Sequence, residues 1–258
     1  MEEIMSIQSE PLKKAVVLAA GKGTRMRSEL PKALAPVCGR PMIFRTLDAL
    51  DQVGIDEIIV VVGYRGDLVR EALRDRANVT FAVQTELLGT GHAVMSCRDA
   101  LRGFEGPVFI VAGDNPMLQS SSVERLFQEY AKAGDVSCVL GSVYKEEPFG
   151  MGRILRNANG DFVGVVEEKD ATPEQRLIKE VNMSYYVFHT PSLLDSLGEL
   201  RANNAQREYY ITDVPKIMLD RGQKILAAPV LQSIEALGVN TPEELALVEE
   251  TLHKMGSR

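Results

Sequence analysis

The 258-residue sequence has no long hydrophobic run and few cysteine or histidine residues. Its longest apolar segments, 15–20, 58–62 and 108–112, are too short to cross a bilayer, which needs about 20 residues. The start, residues 1–14, is polar and acidic, so it lacks the basic flank and apolar centre of a secretory signal. These absences predict a cytoplasmic protein without membrane contact.

Three cysteines, Cys38, Cys97 and Cys138, are an odd number without CxxC spacing, which argues against a disulfide framework and a zinc site. The sequence shows neither an acyl-transfer triad nor a cluster of His and Cys. A net charge of -7 argues against nucleic acid as a partner, because that interaction needs a broad basic surface. We therefore expect free thiols and small-molecule substrates.

From Ala15 onward, short apolar runs alternate with amphipathic stretches, as is typical of helices packed on a mostly parallel sheet. Strands are predicted at 15–19, 58–62, 79–83, 108–112 and 136–144. Between them, apolar residues recur three and four apart and predict helices at 42–53, 67–76, 91–101 and 122–133. The first half is therefore predicted to be a doubly wound, Rossmann-like α/β unit.

After Gly150 the pattern changes to a small antiparallel annex. Residues 152–156 and 162–167 predict a hairpin whose Asn159 and Gly160 suit a turn that needs positive φ. Further helices are predicted at 173–179, 191–202, 210–221 and 242–254, and strands at 181–189 and 224–229. We expect one domain, 14–258, after a flexible extension, 1–13, with a main half at 14–145 and the annex and C-terminal helices at 146–258.

The first predicted strand runs directly into a loop rich in glycine and basic residues, 21–32. Small residues let backbone N–H groups approach an anion, and Arg25 and Lys32 add positive charge, as a triphosphate site requires. The loop is not a dinucleotide fingerprint, because Met26 stands at the third glycine, nor a P-loop, because Gly23 follows the lysine. The alternative is a tight turn with a solvated basic tail.

Asp114 follows the predicted strand 108–112 and is expected to point into the same crevice. Mg²⁺ takes a few hard oxygen ligands from protein together with phosphate and water, so one Asp facing a triphosphate is a sufficient anchor. The alternative is that Asp114 caps the turn at Asn115 and Pro116.

Gln84 ends a predicted strand shortly before Gly89 and Thr90 open a helix. A Gln amide both donates and accepts, which matches a pyrimidine edge, and glycine admits a flat ring against backbone. Spacing alone makes this a weak indication of a base site. His92 is better explained as a packed or capping side chain than as a base.

Several segments together carry a family resemblance: 21–32, Gln84 with 88–92, Gly113 with Asp114, 152–154, Glu167 with 169–171, Asn182, 203–213 and 238–240. In these segments the sequence resembles the bacterial N-acetylglucosamine-1-phosphate uridyltransferase (UDP-N-acetylglucosamine pyrophosphorylase) domain of the sugar nucleotidyltransferase superfamily. The resemblance implies Mg²⁺-dependent uridylyl transfer from UTP to N-acetylglucosamine 1-phosphate, with release of pyrophosphate, in cell wall biogenesis.

The resemblance also implies roles for residues. Arg25 and Lys32 would be catalytic, acting on the phosphates, and Asp114 and Asn240 would bind Mg²⁺. The nucleotide-binding residues would be Leu18, Ala19, Ala20, Gly21, Gln84, Gly89 and Thr90. The sugar-binding residues would be Gly113, Gly152, Glu167 and Asn182. The half at 14–145 would thus bind the nucleotide and the annex the sugar.

The sequence departs from the family pattern near the implied sugar pocket. Ala112 replaces an aromatic residue, Asn115 replaces an aliphatic one, and Met183 and Ser184 follow Asn182 where the family has Thr and Gly. Another sugar 1-phosphate or dTTP is therefore an alternative, and a non-catalytic nucleotide-sugar sensor is an alternative of another class. The hexapeptide-repeat acetyltransferase of bifunctional relatives, with its trimer, is expected to be absent.

Overall fold

The computed structural model describes residues 12–23, 26 and 29–256, so most of the predicted extension, 1–13, lies outside the described residues. The strands are β1 (Lys14–Ala19), β2 (Pro36–Val37), β3 (Arg40–Pro41), β4 (Glu57–Val62), β5 (Val79–Val83), β6 (Pro107–Ala112), β7 (Cys138–Tyr144), β8 (Gly152–Arg156), β9 (Phe162–Val166), β10 (Glu180–His189) and β11 (Ile225–Ala228). The α-helices are α1 (Met42–Gln52), α2 (Gly66–Ala72), α3 (Thr90–Met95), α4 (Arg98–Leu101), α5 (Ser120–Ala133), α6 (Pro173–Arg176), α7 (Thr190–Leu197), α8 (Val214–Asp220) and α9 (Pro242–Lys254). Short 3-10 helices cover Lys32–Leu34, Ile211–Asp213 and Ser233–Ala236.

The main sheet has the strand order β11-β7-β10-β6-β1-β4-β5. Strand β10 runs antiparallel to β6 and β7, while the other neighbours on this path pair in parallel. The hairpin of β8 and β9 pairs with the start of β10 and forms the small antiparallel annex. The predicted doubly wound, mostly parallel α/β fold with an antiparallel annex is therefore confirmed.

The central strands are covered on both faces. Ala15 and Val17 of β1 lie in an apolar cluster with residues of α1 and α5, whereas Val16 lies in a second cluster with residues of α3 and α7. All three side chains are fully buried. A strand that is buried on both faces needs apolar residues at successive positions, which is why β1 stands out in the sequence. The three cysteines are free thiols, as predicted.

Several predicted helices are shorter than their periodicity indicates. The predicted helix 91–101 is divided into α3 and α4 at Cys97, which has φ -90° and ψ 0°. Just before it, Ser96 Oγ donates to the carbonyl oxygen of His92 over 3.2 Å, a bond that competes with helix propagation. The apolar periodicity continues across this break because both pieces pack against the same core.

The predicted hairpin turn at 157–161 is present, but only one residue has positive φ. Gly160 has φ 87°, whereas Asn159 is not among the residues with positive φ. The Asn157 side chain instead accepts hydrogen bonds from the N–H groups of Asn159 and Asp161, at 2.9 and 3.0 Å. The side chain of Asn157 therefore closes the turn that the sequence assigned to Asn159.

Across residues 12–23, 26 and 29–256, no helix combines the length and the apolar character that a bilayer span requires.

Candidate active site

The loop after β1 is held against two neighbouring segments. The N–H of Gly113, at the end of β6, donates to the carbonyl oxygen of Leu18 over 2.9 Å, and the N–H of Lys32 donates to that of Gly21 over 3.3 Å. Parallel strands β1 and β6 end side by side, so their loops meet at one edge of the sheet. The structure thus brings the glycine-rich loop and Asp114 together, as the sequence predicts.

Gly23 has a role that the sequence did not indicate. Its φ is 64°, and a Cβ atom at this position would lie 2.7 Å from Cβ of Lys32. A side chain at residue 23 would therefore push Lys32 out of place. Gly21, in contrast, has open space around its Cα and faces the cavity above the loop. Arg25, one of the two predicted catalytic residues, lies outside the described residues.

Lys32 joins the two predicted metal ligands. Its ammonium group forms an ion pair with Asp114 and donates to Oδ1 of Asn240 over 2.9 Å. All three side chains reach this point from different parts of the chain: the 3-10 helix after the first loop, the end of β6 and the segment before α9. A positive charge already lies between a carboxylate and an amide oxygen, which are ligands that a hard divalent cation accepts. The donor set therefore fits such a cation.

No other metal site is apparent in the part of the chain that the structure describes, where no three His, Cys, Asp or Glu side chains cluster suitably. Asp114 is partly exposed, and so is Lys32. Asp114 does not serve only as the cap of the following turn, which was the alternative interpretation, because it pairs with Lys32 across the site.

Two cavities meet at this ion pair. The larger, about 310 Å³, is lined by residues of the first loop and of the segment before α3: Leu18, Ala19, Ala20, Gly21, Gln84, Leu87, Gly89 and Thr90. The smaller, about 270 Å³, is lined by the annex and the segment before α9, including Gly152, Glu167, Asn182 and Asn240. Lys32, Ala112 and Asp114 line both. The seven predicted nucleotide residues thus share one cavity, and three of the four predicted sugar residues share the other.

Gly113 is the predicted sugar residue that lines neither cavity. A Cβ atom there would lie 3.0 Å from Cγ1 of Val17 and 3.3 Å from the carbonyl oxygen of Leu18. The close approach of β6 to β1 therefore accounts for a glycine at this position. The residue positions Asp114 through the backbone rather than facing the smaller cavity.

Gln84, which lines the larger cavity, is almost fully buried. Its Nε2 donates to the carbonyl oxygen of Gly89 over 3.1 Å and lies 3.1 Å from Nδ1 of His92. His92 is therefore a partner of Gln84, in agreement with its interpretation as a packed side chain. No described residue donates to Oε1 of Gln84, which leaves this oxygen as an acceptor for a ligand.

The glycines near α3 make room for a second chain segment. Gly89 has φ 106°, and a Cβ atom there would lie 2.6 Å from the carbonyl oxygen of Tyr209. The N–H of Gly91 donates to the same oxygen over 2.7 Å, and Thr90 Oγ1 accepts from the N–H of Ile211 over 3.1 Å. The pairing also brings Glu208 into the wall of the cavity. Sequence reasoning missed Glu208 as a site residue, because this pairing has no local signature.

The carboxylate of Glu167 lies beside Gly152, with its oxygens 3.4 and 3.5 Å from the place of a Cβ atom there. Burial raises the pKa of Glu167, a hydrogen bond from the Thr212 side chain lowers it, and the charges of Asp213 and Asp170 raise it further. Its proton affinity is therefore higher than that of a solvated glutamate.

Asn182 is buried and lies at a bulge in β10. Its Nδ2 donates to the hydroxyl of Tyr186 over 2.8 Å, and its Oδ1 accepts from the N–H of Ser184 over 3.2 Å. Ser184 has φ 57°, which an ordinary residue rarely adopts. Met183 and Ser184 line the smaller cavity, together with Ala112 and Asn115. The departures from the family pattern therefore lie at this cavity.

Comparison with known proteins agrees with this architecture. The MobA-like NTP transferase domain matches residues 15–213. Proteins named bifunctional protein GlmU are similar to this chain: that of Pelotomaculum thermopropionicum is 39% identical over 240 residues, covering 93% of this chain and 52% of that protein. The one from Bacillus cereus is 42% identical over 236 residues, covering 91% and 50%. The chain thus spans about half the length of the curated relatives it matches.

Among solved structures, a crystal structure of UDP-glucose pyrophosphorylase complexed with UDP-glucose superimposes with a TM-score of 0.75 at 18% identity. The superposition covers 95% of this chain and 99% of that one, and at this identity it supports the fold alone. The match to the domain family extends from β1 to the segment that pairs with Gly91, and so includes the larger cavity. This chain belongs to the family of MobA-like NTP transferase domains.

Proposed function

We propose that this chain transfers a uridylyl group from UTP to N-acetylglucosamine 1-phosphate in the cytoplasm and releases pyrophosphate. The observation that carries the proposal is the meeting of two cavities at Lys32 and Asp114. Two polyanionic substrates can react only where they are brought into contact and where positive charge offsets their repulsion. The sequence resemblance to uridyltransferases of this kind supports the choice of substrates.

In the proposed reaction, a phosphate oxygen of the sugar 1-phosphate attacks the α-phosphorus of UTP. A new phosphorus–oxygen bond forms while the bond from the α-phosphorus to the bridging oxygen breaks, and its electron pair leaves with pyrophosphate. A phosphate monoester is largely ionised at neutral pH, since its second pKa is near 6, so the nucleophile needs no general base. In this proposal Lys32 supplies positive charge, and Asp114 and Asn240 supply ligands for the metal. None of the three acts as a base.

We propose that Asp114 and Asn240 are ligands of Mg²⁺, because they offer hard oxygen atoms at the point where the cavities meet. Mg²⁺, when bound, neutralises negative charge on the phosphates as a Lewis acid. The ammonium group of Lys32 donates to phosphate oxygens and spreads the charge that develops in the transition state. The same role is proposed for Arg25.

The two cavities divide the remaining tasks. The glycine-rich loop and the segment with Gln84 and Thr90 bind the nucleotide, and Oε1 of Gln84 accepts from the uracil ring. Glu167 and Asn182 orient the sugar in the smaller cavity. A partly buried carboxylate such as that of Glu167 is a strong acceptor for sugar hydroxyl groups.

A pyrophosphate-release assay with purified protein tests the proposal. UTP and dTTP are each combined with N-acetylglucosamine 1-phosphate, glucose 1-phosphate and galactose 1-phosphate, with Mg²⁺ or with excess chelator. We expect the highest kcat/KM for UTP with N-acetylglucosamine 1-phosphate, and no turnover with chelator. A preference for another pair would reassign the substrates. Tight binding of a UDP-sugar without turnover on any pair would favour a sensor.

A further inference from the structure

A fully buried carboxylate connects the two chain segments that carry the proposed metal ligands. Glu235 lies in the 3-10 helix Ser233–Ala236, between β11 and α9, and has no exposed surface. Its Oε1 accepts from the N–H of Gln119 over 3.0 Å. Its Oε2 accepts from Ser122 Oγ over 2.5 Å and from the N–H of Gln232 over 2.8 Å. The side chain of Glu235 thus forms hydrogen bonds both to its own segment and to the first turn of α5.

These hydrogen bonds hold Glu235 in place without a cation. Burial raises its pKa, and the hydrogen bonds from Ser122, Gln232 and Gln119 lower it, while no Lys or Arg among the described residues offsets its charge. Burying a carboxylate without an ion-pair partner is costly, and only well-formed hydrogen bonds reduce this cost. The energy of the two bonds from Gln119 and Ser122 therefore depends on the spacing between the segment before α9 and the start of α5.

That spacing also sets the distance between Asp114 and Asn240. Gln119 follows Asp114 by five residues, and Asn240 follows Glu235 by five. Hydrogen bonds brace both short connections: the carbonyl oxygen of Asn115 accepts from Leu118 N–H at 3.3 Å, and that of Ile234 accepts from Leu237 N–H at 3.1 Å. A displacement at Glu235 is therefore transmitted to both ligands.

Apolar packing also connects the same two segments. Met117 and Val239 are both buried and lie in one apolar cluster with residues of α1 and α9. Apolar contacts are non-directional and permit sliding, whereas hydrogen bonds to one carboxylate define both distance and angle. A variant that keeps the shape of residue 235 but disturbs its hydrogen bonds therefore distinguishes the two kinds of contact.

We propose that Glu235 is a positioning residue that fixes the separation of Asp114 and Asn240 and thereby the affinity of the metal site. This inference rests on the proposed function, because it takes these two residues as the metal ligands. Groups that orient metal ligands through hydrogen bonds commonly change metal affinity about 10–100-fold when they are replaced. Glu235 acts through the backbone and touches no substrate.

Glu235→Gln tests the inference, since Gln keeps the shape and one accepting oxygen but places an NH₂ group against a donor. We expect the Mg²⁺ concentration for half-maximal rate to rise about 10-fold, with a much smaller change of kcat at saturating Mg²⁺. Mn²⁺ titration of the substrate-free protein, followed by electron paramagnetic resonance, should show a matching loss of affinity. Ser122→Ala removes one donor only and should shift both measurements in the same direction by a smaller factor.

Glu180→Gln is the matched control. Glu180 is also a buried carboxylate that accepts from a serine, Ser142 Oγ at 2.6 Å, but it lies on β10 and pairs with Arg156. We expect this variant to lose stability while its Mn²⁺ affinity stays unchanged. The inference is overturned if Glu235→Gln also loses only stability, because the apolar cluster that contains Met117 and Val239 would then suffice to position the ligands. If Glu235→Gln does not fold, Ser122→Ala decides by the same criterion.

The same measurements on Asp114→Ala separate this inference from the proposed function. Unchanged Mn²⁺ affinity in Asp114→Ala would refute the metal assignment itself. Lost affinity in Asp114→Ala with unchanged affinity in Glu235→Gln and Ser122→Ala would refute only the positioning role.

Discussion

The ammonium group of Lys32 donates to Oδ1 of Asn240 over 2.9 Å, although 208 residues separate the two in the sequence. The same ammonium group pairs with Asp114. A lysine thus occupies the position between two oxygen ligands where the proposed cation would bind. A metal ion that enters this site must compete with the ammonium group.

Replacing Lys32 by Met should therefore separate metal binding from catalysis. Without the competing ammonium group, Mg²⁺ should bind more tightly to the substrate-free protein, as isothermal titration calorimetry would measure. Turnover should nevertheless fall by about 100-fold or more, because the phosphates lose a positive donor. Lys216→Met, which removes an exposed partner of Asp220, is the control and should change neither measurement. Weaker Mg²⁺ binding in Lys32→Met would contradict the competition.

Asp114→Ala should lower kcat by at least about 100-fold, since it removes the carboxylate that is the proposed anchor of the cation and the ion-pair partner of Lys32. Pyrophosphate release at saturating substrates measures the effect, and circular dichroism checks the fold. Asp220→Ala is a matched control, because Asp220 is an exposed carboxylate on α8 that also pairs with a lysine. Near-normal turnover in Asp114→Ala would remove this residue from the mechanism.

The contact between the segments at Gly91 and Tyr209 gives a stability prediction. In Gly91→Ala, the added Cβ would lie 2.6 Å from Cδ1 of Leu200 and 2.9 Å from the carbonyl oxygen of Tyr209. We expect a loss of about 1–3 kcal/mol in the free energy of unfolding, measured in urea, because the core must shift to relieve the overlap. Gly89→Ala should lose more, because its Cβ would lie 2.6 Å from the carbonyl oxygen of Tyr209 and its φ of 106° is also unfavourable for alanine.

Gly103→Ala is the control for these two variants. Gly103 also has a positive φ, 76°, but nothing lies within 4 Å of an added Cβ. The free energy of unfolding of Gly103→Ala should fall by only about 1 kcal/mol, which is the cost of a positive φ for alanine. If Gly103→Ala and Gly89→Ala lost equal free energies of unfolding, Tyr209 would not lie close enough to residue 89 to overlap an added Cβ.

The raised pKa of Glu167 predicts how stability depends on pH. Burial is its main cause, so the folded pKa lies above the unfolded one. Such a group favours folding below its unfolded pKa, and that contribution is lost as pH rises through its folded pKa. The substituted side chain in Glu167→Gln does not ionise. The free energy of unfolding of this variant, relative to that of the natural protein, should therefore be higher at about pH 8 than at about pH 4. Its KM for the sugar 1-phosphate should rise.

Urea unfolding at both pH values measures the stability difference. Glu250→Gln is a suitable control, because Lys254 lowers the pKa of Glu250 and the difference should therefore run in the opposite direction. A stability difference for Glu167→Gln that does not change with pH would mean that folding leaves the pKa of this carboxyl unchanged.

Some features of the site could be predicted because their cause is local. The apolar run of β1 followed by small residues indicates a strand end with open backbone, and Asp114 follows another such strand. Ends of neighbouring parallel strands converge, so the expectation that these two meet required only the fold class. The larger cavity contains both.

Other features had no signal in the sequence. The glycine at residue 23 resembles an anion-binding residue, but its shape makes room for Lys32. The glycine at 113 resembles a ligand contact, but it admits β1. In both cases a backbone position is restricted by another part of the protein, the side chain of Lys32 for Gly23 and strand β1 for Gly113, and composition alone cannot distinguish such a neighbour from a ligand.

The sequence by itself determined which segments become buried strands and which helix faces cover them, because burial on both faces requires apolar residues at periodic positions. Only the tertiary structure decided that the ammonium group of Lys32 bonds both Asp114 and Asn240, and that Glu235 forms hydrogen bonds from the segment before α9 to the start of α5. Periodicity reports how each segment faces the core. It contains no information on the distance between two loops, which depends on side-chain hydrogen bonds between segments far apart in the sequence.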